Sequence, residues 1–140
     1  MKTILLGISG SISAYKAADI TNELTKMGYK LDVVMTKNST EFITPLAIQS
    51  LSHRRVHLDV MDEPDAALIN HIALAKNADL FLVAPASANM VGKLANGIAD
   101  DLLSTVALAL LPDTPKIIAP AMNTYMYQNP IVQRNLKTLK

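Results

Sequence analysis

The sequence predicts a doubly wound α/β domain, a parallel sheet between two layers of helices. Three observations carry this. Aliphatic runs that suit strands occur at residues 2–8, 31–36, 79–84 and 116–119, the first of them fitting a strand buried on both faces. Stretches with helical spacing separate them. The first strand–helix–strand unit fits within about thirty-five residues, which suits a right-handed parallel crossover.

Residues 2–8 (KTILLGI) are mostly apolar and bounded by glycine and serine. A helix follows over 13–27, where Ala17, Ile20, Leu24 and Met27 recur at three- to four-residue spacing and Gly28 stands where a helix-terminating glycine belongs. Residues 31–36 (LDVVMT) are the second strand. Ser39 to Ile43 start a short helix, and Thr44–Pro45 read as N-cap and first position of another, running to about Leu51. Residues 53–70 are polar and irregular, with a short strand near Val56. The third strand, 79–84 (DLFLVA), is stopped by Pro85. A long helix is expected over 88–111, weakened by Gly92 and Gly97. The fourth strand, 116–119 (KIIA), is stopped by Pro120, and a last helix runs from Pro130 to the end. The whole reads as a three-layer α/β/α, Rossmann-like (flavodoxin-like) arrangement. A doubly wound domain adds a further strand after such a helix, so 1–140 is expected to be one domain lacking its C-terminal strand.

Half the residues are apolar, enough for a core, and the net charge is +1, so neither a nucleic-acid footprint nor an acidic tail is visible. Arg54–Arg55, the longest basic run, reads as a solvated loop. The absence of cysteine excludes disulfides, thiolate metal sites and a cysteine nucleophile within these residues. No His/Asp/Glu cluster has ligand spacing, so no metal is expected. The first apolar run is too short for a signal-peptide core or a membrane span, and a cytoplasmic protein is expected.

Ligands of open α/β sheets bind beyond the carboxyl ends of the strands. Those ends read GISGSISAY (7–15), TKNS (36–39), PASANM (85–90) and PAMNTYMY (120–127). The first combines Gly7 and Gly10, which allow close backbone approach, with Ser9, Ser11 and Ser13 at a helix start, a pattern that suits a phosphate. The spacing is G-x-x-G, and Met35-Thr36-Lys37 lacks the acidic residue that holds a dinucleotide ribose. Both features favour a mononucleotide over NAD. Thr36 and Ser39 offer further hydroxyls, with Ser39 reading equally as a helix cap. Ser87 and Asn89 read as ligand contacts or as a cap. Asn123 is an amide able to hold a carboxylate or a ring edge without titrating, and Met122 and Met126 read first as packing residues. Among the histidines, His53 and His57 read as surface residues, while His71, before the third strand, is the candidate acid–base group. Asp100–Asp101, adjacent on a helix, would diverge by about 100° and read as solvated or capping.

Taken in order, the four motifs resemble the homo-oligomeric flavin-containing cysteine decarboxylases, over about Lys2 to Leu136. GISGSISAYK looks like the family's flavin loop, FITPL (42–46) its following helix, and His71-Ile72-x-Leu74 its active-site histidine segment. PASAN (85–89) matches the flavin motif, with Met90 for the usual threonine. PAMNxxM (120–126) matches the substrate motif, with Tyr127 for the usual tryptophan. Ala121 and the segment IADDLLST (98–105) are more similar to phosphopantothenoylcysteine decarboxylases than to lantibiotic peptide decarboxylases.

The resemblance implies an FMN held by Gly10, Ser11, Ile12, Thr36, Lys37, Asn38, Ser87, Ala88, Asn89, Met90 and Ala121. Ser11, Ile12 and Thr36 would hold the phosphate, and Ser87 to Asn89 would line the ring. It implies His71 as base, Asn123 as the catalytic amide holding the substrate carboxylate, and Met126 in support. The implied reaction converts 4′-phosphopantothenoylcysteine to 4′-phosphopantetheine for coenzyme A: oxidation to a thioaldehyde, loss of carbon dioxide, then reduction of the enethiol. The family's cysteine-bearing substrate flap is expected beyond residue 140. Trimers or dodecamers with shared flavin sites are implied, so that His71 would serve a neighbour's flavin, as is a synthetase partner, either a separate chain or a lost fusion. Peptidyl-cysteine decarboxylation and a non-catalytic flavin-binding regulatory subunit are the alternatives.

Overall fold

The computed structural model describes residues 1–60 and 70–140. Four parallel strands, β1 (Thr3–Ile8), β2 (Lys30–Met35), β3 (Leu80–Ala86) and β4 (Lys116–Pro120), form one sheet in the order β2-β1-β3-β4. The helices are α1 (Lys16–Lys26), α2 (Pro45–Ser52), α3 (Asn70–Asn77), α4 (Ala88–Asn96), α5 (Leu102–Ala109), α6 (Thr124–Gln128) and α7 (Pro130–Leu139). The result is the expected three-layer, flavodoxin-like α/β/α fold.

Strands β1, β2 and β3 are mostly apolar on both sides because each side meets helices, whereas β4 is largely exposed, with Ile117 52% accessible. Ile4, Leu6, Ile8, Leu31, Val33 and Met35 pack with Ala14, Ala17 and Ile48 on one face. Leu5, Val34, Phe81 and Val83 pack with Leu74, Met90, Val91, Leu103 and Val106 on the other. Burial of each large side chain stabilises the fold by about 1.5–3 kcal/mol. The α1 terminus forms as the sequence indicates. Gly28, at φ +93°, sits past the last turn, and bonds from Gly28 N–H to Thr25 O (3.0 Å) and Tyr29 N–H to Leu24 O (3.2 Å) satisfy the last carbonyls. Thr44 caps α2 through the Ala47 N–H at 3.1 Å, with Pro45 in first position.

Several expectations are corrected. The helix expected over 88–111 is two, α4 and α5. Gly97, at φ +69°, ends α4 in the left-handed conformation, and Asp101 starts α5 in a reciprocal capping box with Ser104. Pro85 does not stop β3. It falls where the β3–β4 register shifts between Val83 and Ala86, so its missing N–H takes no ladder bond there. Pro120 likewise belongs to β4, paired with Ala86. Helix α3 begins at the end of the segment expected to be irregular, and α6 precedes α7; neither was expected. The expected irregularity over 61–69 lies outside the described residues. Near Val56 there is one parallel bridge, His57 to Val34, whose bonds (His57 N–H to Val33 O, 2.9 Å; Met35 N–H to His57 O, 3.1 Å) cover the free edge of β2. His57 is thus half-buried, while His53 is exposed.

Arg54 is exposed in the bend after α2, as the loop reading expects, yet it is tied to the sheet. Its Nε donates to Leu31 O (3.1 Å) and its Nη2 to the Asp32 carboxylate (2.6 Å), whose side chain is only 8% accessible. The pair ties the end of α2 to β2. Removing the arginine leaves a buried carboxylate without its partner. Arg54→Met is therefore expected to lose about 2 kcal/mol, discounted because Arg54 is partly solvated. Arg54→Met/Asp32→Val should recover most of it. Urea denaturation of the single and double variants checks this.

Candidate functional site

The strand order reverses between β1 and β3. The connections that leave these two strands depart to opposite faces, which opens a crevice at their carboxyl ends. Ser9 stitches the two turns together there. Its N–H (3.2 Å) and hydroxyl (2.7 Å) both donate to Pro85 O, and its Oγ accepts from the Ser87 N–H at 2.7 Å. The Ser9 hydroxyl, grouped by sequence with phosphate-suited hydroxyls, is therefore committed to the chain itself. Gly10 permits a close approach, but to the chain: an added Cβ would lie 2.6 Å from Asn38 Cβ. The turns after β1, β2 and β3 thus form three walls in direct contact.

Two cavities occupy this crevice. One, of about 370 Å³, is lined by Ser9, Gly10, Thr36, Lys37, Asn38, Ser87, Ala88, Asn89, Met90, Lys93, Asp101 and Met126. The other, of about 350 Å³, adds Ser11, Ile12, Ala121, Met122 and Asn123, and shares Gly10, Ser87, Ala88 and Met126 with the first. Of the residues assigned to the cofactor, the substrate or catalysis, all except His71 line one or both, whereas Gly7 and Ser39, also offered by the sequence, line neither. A larger cavity of about 1050 Å³, between β4 and α7, flanks the open edge of the sheet and contains none of them.

The cap reading holds for Ser87, and Asn123 and Ser11, not expected as caps, also cap helices. Ser87 Oγ accepts from Met90 N–H (3.1 Å) and Asn123 Oδ1 from Met126 N–H (2.9 Å), starting α4 and α6. Ser11 Oγ accepts from Ser13 N–H (3.2 Å). Ser39 neither caps a helix nor reaches the crevice. It is fully buried, and its hydroxyl donates to Thr36 O at 2.7 Å. Capping leaves donors open. The Ala88 and Asn89 N–H groups have no intrahelical acceptor. Those of Gly10, Ser11 and Ile12, and the Asn123 Nδ2, meet no acceptor among the described residues. With Lys37 and the Thr36 hydroxyl, this donor set fits a phosphate-bearing ligand. Ile12, Met90, Ala121 and Met126 supply apolar walls for a ring, so the residues present fit a flavin mononucleotide. Met126, 45% accessible, is not a packing residue within this chain.

Asp100 and Asp101 do converge, contrary to the sequence expectation, because they precede α5 and are not part of a helix. Lys93 Nζ lies 2.8 Å from Asp100 Oδ1 and 2.9 Å from Asp101 Oδ2. Burial alone would lower the Lys93 ammonium, but hydrogen bonds and charge from both aspartates outweigh it and hold the group above its usual value. Burial would raise Asp101, but hydrogen bonds from Ser104 and Lys93 outweigh it and hold the carboxyl below its usual value. A depressed carboxyl stabilises the fold above its unfolded value, 3.8, and loses that contribution as pH falls through its lower folded value. Wild type is therefore expected to melt above Asp101→Asn near neutrality, with the two melting temperatures converging only below 3.8. Thermal melts across acid pH check this.

Sequence reasoning missed Lys93 and Asp101 as crevice residues. The signal was present: Lys93 follows Asn89 and Met90 by one helical turn and so shares their face. His71 stands half-buried on the first turn of α3, which packs through Leu74 and Ala75 over the sheet, and it lines neither cavity.

The Flavoprotein family matches residues 1–140, the whole chain. The chain belongs to this flavoprotein family. A probable phosphopantothenoylcysteine decarboxylase of Streptococcus mutans is 58% identical over 139 residues, 99% of this chain and 78% of that protein. The coenzyme A biosynthesis bifunctional protein CoaBC of Bacillus subtilis is 46% identical over 138 residues, 99% of this chain and 34% of that protein. Among solved structures, the FMN-dependent cysteine decarboxylase SpaF superposes with a TM-score of 0.92 at 33% identity, covering 99% of this flavoprotein and 79% of that chain. Among the described residues no helix is long and apolar enough to cross a membrane.

Proposed function

We propose that this flavoprotein binds FMN in the strand-end crevice and decarboxylates 4′-phosphopantothenoylcysteine to 4′-phosphopantetheine in coenzyme A biosynthesis. The observation that carries the reading is the crevice itself: open backbone donors from Gly10–Ile12 and Ala88–Asn89 face the same cavities as Lys37 and Asn123. The 58% identity to a probable enzyme of this name supports the substrate over a peptide.

The N–H groups at Ser11 and Ile12, with the Thr36 hydroxyl, Lys37 and Asn38, hold the phosphate. Ser87 to Met90 and Ala121 bound the ring. Bound FMN supplies the hydride acceptor and donor that the chain lacks. The Asn123 Nδ2, left open by the cap, donates to the substrate carboxylate, and Met126 closes the apolar side of that position. His71 takes the proton released in the first oxidation. Because it stands away from its own chain's crevice, it does so in an assembled trimer or dodecamer, at a neighbour's flavin. The protein works in the cytoplasm.

The test is spectral and chemical. Purified protein should be yellow, release a cofactor with the mass of FMN, and evolve carbon dioxide from 4′-phosphopantothenoylcysteine in preference to a peptide ending in cysteine. A colourless, assembled protein that takes up no FMN overturns the proposal. Preference for the peptide would move it to the lantibiotic class, and bound FMN with no turnover of either would leave a regulatory subunit.

A further inference from the structure

We infer that Lys93 is a specificity residue of the crevice, acting through Asp101: it neutralises that carboxylate in the cavity wall and so lets the crevice accept a dianionic ligand. The inference rests on the FMN reading above. Both Lys93 and Asp101 line the cavity that also holds Lys37 and the open end of α4. The Lys93 side chain is 15% accessible, Asp101 26% and Asp100 62%. Asp100 is therefore largely screened by water, whereas Asp101 projects its charge into a confined space.

The Lys93 contact is not what builds the fold at this point. The cap of α5 uses Asp101 Oδ1, which accepts from Ser104 N–H at 2.8 Å, while Asp101 N–H donates to Ser104 Oγ at 3.2 Å. Lys93 bonds the other oxygen, Oδ2, at 2.9 Å. With the cap satisfied independently, what Lys93 adds is charge. Without it, a carboxylate would share a cavity of about 370 Å³ with the phosphate of the ligand.

FMN and riboflavin differ by that phosphate, so their affinities separate a charge effect from a structural one. Kd for both is measured by flavin fluorescence titration of the FMN-stripped protein. Lys93→Met is expected to weaken FMN about tenfold and riboflavin by no more than about twofold, a gap that narrows in about 1 M salt. Asp101→Asn, which keeps the cap because asparagine caps as well as aspartate, is expected to shift the ratio the opposite way, towards FMN. Equal loss of both flavins in Lys93→Met, no loss of either, or a ratio unmoved by Asp101→Asn overturns the inference. Should Lys93→Met fail to fold, the Asp101→Asn ratio decides alone. A wild type that binds neither flavin overturns the FMN reading as well, so the two failures are distinct.

Discussion

His71→Asn should leave FMN bound and lower the rate of decarboxylation by about a hundred- to ten-thousand-fold, the range general-base catalysis supplies. The fold should survive. His71 is half-buried at the start of α3, while Leu74, Ala75 and Ala78 make that helix's core contacts. Asparagine keeps a polar group of similar reach but cannot take a proton near neutrality. The placement of His71 outside its own crevice gives the prediction a second part. If His71 works at a neighbour's flavin, His71→Asn mixed with a crevice-defective variant such as Gly10→Val, then dissociated and reassembled, should regain part of the activity. One site in the hybrid would then pair an intact crevice with an intact imidazole. Hybrids that stay inactive, while wild type recovers from the same treatment, would remove the shared-site arrangement. Unimpaired turnover in His71→Asn would remove the base.

Most of the site was legible because each strand ends in a turn whose residue types announce it. Gly10, Ser11, Ser87 and Asn123 fall at the carboxyl end of a strand and start a helix, and the rule for open sheets brings such ends together. What could not be read was how those residues are already employed. Ser9, Ser87 and Asn123 use their oxygen atoms on the chain's own backbone. A ligand is therefore met mainly by the donors left over, and hydroxyl-counting overstates the side-chain contribution. The long helix over 88–111 was misread for a related reason. Gly97 was weighed as a weak helix former when its positive φ makes it a terminator, and the capping box of Asp101 with Ser104 passed unnoticed. That break turns Asp100 and Asp101 back towards Lys93 and makes the wall of the crevice. Helix α3 escaped because it is short and keeps His71, Lys76 and Asn77 among few inward apolar residues. The placement of His71 depends on tertiary packing and, under the proposed assembly, on another subunit.

Gly10→Ala is expected to weaken FMN binding by at least about tenfold and to lower stability by about 1–3 kcal/mol, as overpacking does. Its backbone lies outside the left-handed region, so the expected effect comes from contact and not from φ. The new Cβ would meet Asn38 Cβ at 2.6 Å and the Asn38 carbonyl carbon at 3.2 Å, atoms no side-chain rotation can move. Relief requires the turns after β1 and β2 to separate, which displaces the Ser11–Ile12 donors from Thr36 and Lys37. Gly7→Ala offers the contrast. Its Cβ would fall 2.5 Å from Leu103 Cδ1, the far end of a buried but rotatable side chain, on the α5 side of the sheet. That variant should lose stability with a smaller change in FMN affinity, and Leu103→Ala should relieve it. For Gly10→Ala the relieving change is Asn38→Gly, which removes the opposing Cβ. Urea denaturation and FMN titration on the two single variants and their two relieved partners separate the effects. Unchanged FMN affinity in Gly10→Ala would show that the spacing of these two turns does not control the cofactor site.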